Sequence, residues 1–104
     1  MSDNWHCVAA ADEIEEEDVI QVVMGDRVLA VYNVGGKYYC TSDICTHGQA
    51  YLSGGVVIDD IIECPLHQGR FHIPTGAAKG APVSLPLDTH ETKVEDGKVY
   101  VRLG

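Results

Sequence analysis

Positive charge is scarce in these 104 residues: seven Lys and Arg stand against sixteen Asp and Glu, a formal net charge of −9. Phosphate backbones attract the opposite sign, so a nucleic-acid-binding role is excluded. Long apolar runs are also missing, and no stretch approaches the roughly 20 residues of a membrane span. The N-terminus, Met1 to Trp5, has neither a basic region nor an apolar core, so it does not read as a signal peptide, and a cytoplasmic protein is expected. A reducing compartment argues against disulfides among the four cysteines. No amphipathic helix of normal length is visible. Seven acids crowd the first eighteen residues (Asp3, Asp12, Glu13, Glu15, Glu16, Glu17 and Asp18). They read first as a solvated turn that keeps a small protein soluble, and second as a negative surface that steers it toward basic partners.

The apolar pattern that is present has a period of two. Val19-Ile20-Gln21-Val22-Val23-Met24 and Val28 to Val34 are β-branched and apolar, joined at Gly25-Asp26, and Gly35-Gly36 turns the chain into Lys37–Thr41. Near the end, Thr89–Glu95 and Lys98–Leu103 flank Asp96-Gly97, a strong hairpin signal. Asp12–Asp18 has room for one helical turn. Short strands with Gly punctuation predict an all-β protein, a small antiparallel sandwich or barrel of one domain.

Between the hairpins the texture changes. Roughly residues 43–85 hold Pro65, Pro74 and Pro82 together with Gly48, Gly54, Gly55, Gly69, Gly76 and Gly80. Such glycines let backbone approach closely. The same region carries Cys45-Thr46-His47 and Cys64-Pro65-Leu66-His67, two short Cys/His pairs. Each joins a soft thiolate to a borderline imidazole, a donor set suited to an iron–sulfur centre or to zinc. Val56 to Glu63 reads as two short strands around Asp59-Asp60, a hairpin that would set the two ligand loops side by side. Cys7 and Cys40 have no Cys or His partner at short spacing and read as small buried hydrophobes.

Cys45-x-His47 with Cys64-Pro65-x-His67 resembles the Rieske motif, in which one iron of a [2Fe–2S] cluster takes two thiolates and the other two imidazoles. The resemblance covers essentially the whole chain, and Phe71 occupies the family's usual aromatic position. In particular the chain resembles the Rieske ferredoxins of bacterial aromatic-ring dioxygenase systems, such as that of naphthalene dioxygenase. The resemblance implies a Rieske fold with a base (about 1–42 and 86–104) and an inserted cluster-binding subdomain (about 43–85). It implies one [2Fe–2S] cluster, with Cys45 and Cys64 on the inner iron and His47 and His67 on the outer, solvent-facing iron. The chain would be a monomeric electron carrier rather than an enzyme. It would pass single electrons from a flavin-dependent ferredoxin reductase to a terminal oxygenase with its own Rieske centre and mononuclear iron. Respiratory Rieske proteins add a disulfide and hydroxyl donors at positions that here read Ala50, Leu66, Gly69 and Phe71. Without those donors the expected potential lies at the low end of the Rieske range, roughly −150 mV.

Two other readings remain open: an accessory subunit of another oxidoreductase, of the nitrite-reductase type, and a structural zinc module. The zinc reading is weakened by the single residue between Cys45 and His47, where zinc fingers keep two to four. Among the remaining residues, Gln68 and Gly48 are expected at the docking tip, and Pro82 in a loop covering the cluster. His72 is expected to pack or hydrogen-bond behind the ligand loop, and His6 and His90 at surface or half-buried positions.

Overall fold

The computed structural model describes residues 5–45, 50–65, 69–79 and 86–103. The described residues form ten strands: β1 (Trp5–Ala10), β2 (Asp18–Met24), β3 (Arg27–Val34), β4 (Lys37–Ser42), β5 (Val56–Ile58), β6 (Ile61–Glu63), β7 (Arg70–His72), β8 (Thr89–His90), β9 (Thr92–Glu95) and β10 (Lys98–Arg102). Among the described residues the only helical pieces are single 3-10 turns, Ala11–Glu13 and Leu52–Gly54, and no helix is long and apolar enough to cross a membrane. All pairings are antiparallel, in three sheets ordered β1-β10-β9, β2-β3-β4-β8 and β5-β6-β7.

The tight turns fall where the turn chemistry predicts them. Gly25-Asp26, Gly35-Gly36, Asp59-Asp60 and Asp96-Gly97 each connect paired strands, and the left-handed backbone at Gly35 and Gly36 (φ 62° and 88°) explains that pair.

The β2-β3-β4-β8 sheet is the middle layer, because β3 buries both of its faces. Leu29 and Val31 point into a core shared with Ala9, Ile14, Val99 and Val101 of the β1-β10-β9 side. Ala30 and Tyr32, alternating with them, point into a second core with Leu52, Ile62, Phe71 and Ile73, and this one also contains Cys45 and Cys64. The unbroken apolar run of β3 is therefore the mark of a strand covered on both sides rather than a half-exposed one.

Two expectations are corrected. The stretch 89–95 is not one strand. It breaks at Glu91, because β8 belongs to the middle sheet beside β4 while β9 belongs to the outer sheet beside β10. The Glu91 carbonyl turns out to accept the Arg102 amide (2.9 Å), and the Thr92 hydroxyl donates to the Tyr38 carbonyl (2.5 Å). Cys7 is exposed, not buried. A bulge between Cys7 and Ala9 shifts the β1–β10 register by one residue, so Val8 and Ala9 pack inward in succession and Cys7 falls on the solvent side. Cys40 is buried as expected, and burial pushes its thiol pKa up to about 12, which makes it inert at neutral pH.

Candidate metal centre

The two cysteines occupy equivalent positions in two loops that are closed in the same way. Ile44 pairs with Tyr51 in an isolated antiparallel bridge, and inside that rung the Cys45 amide donates to the Ala50 carbonyl (3.0 Å). Glu63 pairs with Arg70 as the last rung between β6 and β7, and inside it the Cys64 amide donates to the Gly69 carbonyl (2.6 Å). Each loop is thus six residues long and begins with a cysteine. His47 is third in the first, and His67 fourth in the second. Both histidines, with Gly48, Leu66, Gln68, Gly80 and Pro82, lie outside the described residues.

Cys45 and Cys64 are buried (3 % and 0 % exposed) against the same apolar core. A pair of soft donors in a dry pocket, each followed within three residues by an imidazole, fits a [2Fe–2S] cluster with two unlike ends. Among the described residues no group of three or more His, Cys, Asp and Glu side chains is placed to hold a metal, so the donor set depends on His47 and His67.

The β5–β6 hairpin brings the ends of the two loops together. Val56 pairs with Glu63, and Gly55 lies so close to the Glu63 carbonyl that a Cβ there would collide with it. Behind the second loop, Gly76 adopts φ 77°, its amide held by the His72 carbonyl (2.7 Å) and its carbonyl by the Leu87 amide (2.8 Å). His72 is fixed at both ring nitrogens, by Thr75 Oγ1 (2.8 Å) and Asp60 Oδ2 (2.9 Å), which is the hydrogen-bonding role expected of it. His6 is exposed and His90 half-buried, also as expected.

Of the positions that separate respiratory Rieske proteins from this chain, the three described ones take packing roles here. Phe71 is fully buried, Ala50 packs against the cluster-side core, and Gly69 is buried. The fully buried aromatic hydroxyl in that core belongs to Tyr32, and it is already engaged. Thr41 Oγ1 donates to the Ser42 carbonyl (2.8 Å), so the Tyr32 hydroxyl donates to Thr41 Oγ1 (2.9 Å). Burial pushes the Tyr32 pKa well above its usual value, so the hydroxyl stays protonated.

One residue of the site escaped the motif reading: Asp43, two positions before Cys45. It is fully buried, and its carboxylate binds Gln21 and Ser53. Its place two residues before a candidate ligand gives no signal in the sequence that it is buried.

The family model of the Rieske [2Fe–2S] domain matches residues 4–91. The chain is 41% identical over 100 residues to the anthranilate 1,2-dioxygenase ferredoxin subunit of Burkholderia cepacia, covering 96% of this chain and 93% of that one. It is 43% identical over 103 residues to the ferredoxin component of the naphthalene 1,2-dioxygenase system of Pseudomonas aeruginosa, covering 99% of each. Among solved structures it superimposes on a chain from the complex of reduced oxygenase and oxidised ferredoxin in carbazole 1,9a-dioxygenase with a TM-score of 0.92 at 41% identity, over 97% of this chain and 94% of that one. The ferredoxin of Sphingomonas yanoikuyae B1 gives a TM-score of 0.92 at 37% identity, over 97% of this chain and all of that one. With paired cysteine loops, an all-β frame and relatives matched nearly end to end, the chain belongs to the Rieske [2Fe–2S] family.

Proposed function

We propose that the chain is the ferredoxin of an aromatic-ring dioxygenase system, a cytoplasmic one-electron carrier between a flavin-dependent reductase and a terminal oxygenase. The observation that carries this reading is the pair of equivalent, identically closed cysteine loops, in a chain matched almost end to end by ferredoxin components of such systems. Cys45 and Cys64 hold one iron and His47 and His67 the other, within a segment of about 43–85 set into a base of about 1–42 and 86–104. When bound, the cluster supplies a single-electron couple whose potential is raised by the neutral imidazoles relative to an all-cysteine centre.

The rest of the task falls to the protein's own residues. The Tyr32, Leu52, Ile62, Phe71 core excludes water from the thiolate side. No hydroxyl stands at positions 69 and 71 to hydrogen-bond sulfur, which leaves the potential at the low end of the range, roughly −150 mV. Ile44 and Tyr51, the rung at the foot of the Cys45 loop, are about half exposed (50 % and 52 %). They form an apolar step beside the proposed cluster, suited to a brief contact with a redox partner. The surplus of acid favours a partner face that is basic, so association weakens as salt rises.

The decisive measurement is the EPR spectrum of the dithionite-reduced protein with iron and acid-labile sulfide analysis. A mixed His/Cys signal with two irons and two sulfides is expected; zinc without sulfide would overturn the assignment. Potentiometry giving a clearly positive potential would overturn the low-potential reading. Failure to couple a flavin reductase to a terminal ring-hydroxylating oxygenase would overturn the carrier role.

A further inference from the structure

Asp43 is the most heavily bonded residue next to the site. Its side chain is fully buried, and its oxygens accept from Gln21 Nε2 (2.9 Å), the Ser53 amide (2.7 Å) and Ser53 Oγ (2.7 Å). Its backbone is tied as well: the amide donates to the Val28 carbonyl (2.9 Å) and the carbonyl accepts from Leu52 (2.7 Å). These five bonds join β2, the start of β3 and the 3-10 turn at 52–54 to the residue two places before Cys45. Among the described residues, all three groups facing the carboxylate donate to it, the pattern an acceptor-only group requires. No Lys, Arg or His is among its partners in the described residues.

A neutral Asn would serve almost as well as a clamp. It could accept from Ser53 through its oxygen, and the Gln21 amide could turn over to meet its NH2. Burying a full charge without a cation is the costlier solution. The charge therefore does something the clamp alone does not require. We propose that Asp43 is a positioning residue for the electron-transfer centre: it anchors the Cys45 loop, and its negative charge, which meets no cation among the described residues, holds the reduction potential down. Reduction adds an electron to the cluster, and a fixed negative charge nearby in a medium of low dielectric opposes that addition. The inference rests on the proposed ligation by Cys45 and adds a residue that sets the carrier's driving force.

The test is EPR-monitored potentiometry of the full-length, cluster-loaded protein. Asp43→Asn removes the charge and keeps the shape, and its potential is expected to rise. Asp96→Asn, at the exposed β9–β10 turn, removes a distant charge and is expected to move it far less. Ser53→Ala keeps the charge but strips one donor from it, so its potential is expected to fall. Loosening of the loop alone would not give two opposite signs. Shifts of the same sign in Asp43→Asn and Ser53→Ala, or an Asp43→Asn shift no larger than that of Asp96→Asn, would overturn the inference. Should Asp43→Asn not load a cluster, Ser53→Ala decides: a fall supports the role, and a rise or an unmoved potential overturns it. A parent protein without the mixed-ligand signal overturns the ligand assignment and this inference with it. A normal signal with unmoved potentials overturns the role of Asp43 alone.

Discussion

The two cysteine loops share one closure and differ in what supports it. The loop at 64–69 grows out of a regular ladder: β6 and β7 pair rung by rung, and Ile62 and Phe71 face each other in the cluster-side core. The loop at 45–50 has no such strands, only the single rung Ile44–Tyr51, and behind it the buried polar anchor of Asp43, Gln21 and Ser53. One loop is held by apolar burial along a sheet and the other by hydrogen bonds around a charge. Equivalent geometry at a metal centre does not require equivalent scaffolding, and the two kinds of support fail in different ways.

The largest expected effect treats the loops alike. Replacing His47 or His67 by Ala removes one proposed ligand from either loop, and each change is expected to abolish the visible absorption and EPR signal completely. A normal cluster in either variant would show that the loops do not contribute equally and would sink the ligand assignment.

Next in size is damage to the ladder under the second loop. Phe71→Ala empties a fully buried aromatic site and is expected to cost about 3–5 kcal/mol, read from denaturant unfolding with the cluster loaded. A loss below about 1 kcal/mol would mean that apolar burial is not what holds this loop.

How much of this was visible in the sequence follows the same division. Turns announced themselves through Gly and Asp pairs, because a left-handed backbone position restricts which residues can stand there. The cysteine loops announced themselves through ligand chemistry. Asp43 did not, since nothing local distinguishes a buried acid from a solvated one: its partners Gln21 and Ser53 lie 22 and 10 residues away. The break at Glu91 was hidden for a similar reason. Alternation in 89–95 is compatible with one strand, and only the docking of β8 and β9 to different sheets divides it. Cys7 was misjudged because a bulge in β1 reverses the face on which a period-two pattern places it.

A smaller effect is expected at the surface of the second loop. Arg70 Nε and Glu63 Oε2 form an ion pair at 3.1 Å across the closing rung, with the Arg70 side chain 57% exposed. Such pairs contribute about 0–1 kcal/mol. Glu63→Gln is therefore expected to shift unfolding by less than about 1 kcal/mol and to leave the EPR signal unchanged. A loss of cluster in Glu63→Gln would mean that the ladder needs this pair and that the second loop too depends on charge.

The smallest effect belongs to neither loop and so tests whether the base and the metal centre are energetically separate. His90 of β8 sits opposite Cys40 on β4. Burial, followed by the Arg27 guanidinium, lowers its pKa, and Asp88 opposes the shift only in part. A histidine with a depressed folded pKa binds its proton more readily when unfolded, so its contribution is intact above the unfolded value of about 6.5. That contribution declines as the pH falls from there through the lower folded value, and the decline levels off below it. His90→Gln should flatten this slope slightly in unfolding experiments between neutral and mildly acidic pH, with the reduction potential of the folded protein unaltered. A change in potential would show that the β4–β8 pairing communicates with the Cys45 loop through Ser42, whose amide is held by the Asp88 carbonyl at 2.9 Å. In that case the loop hung on Asp43 would be sensitive to the whole middle sheet, whereas the loop on the β6–β7 ladder would answer only to its own core.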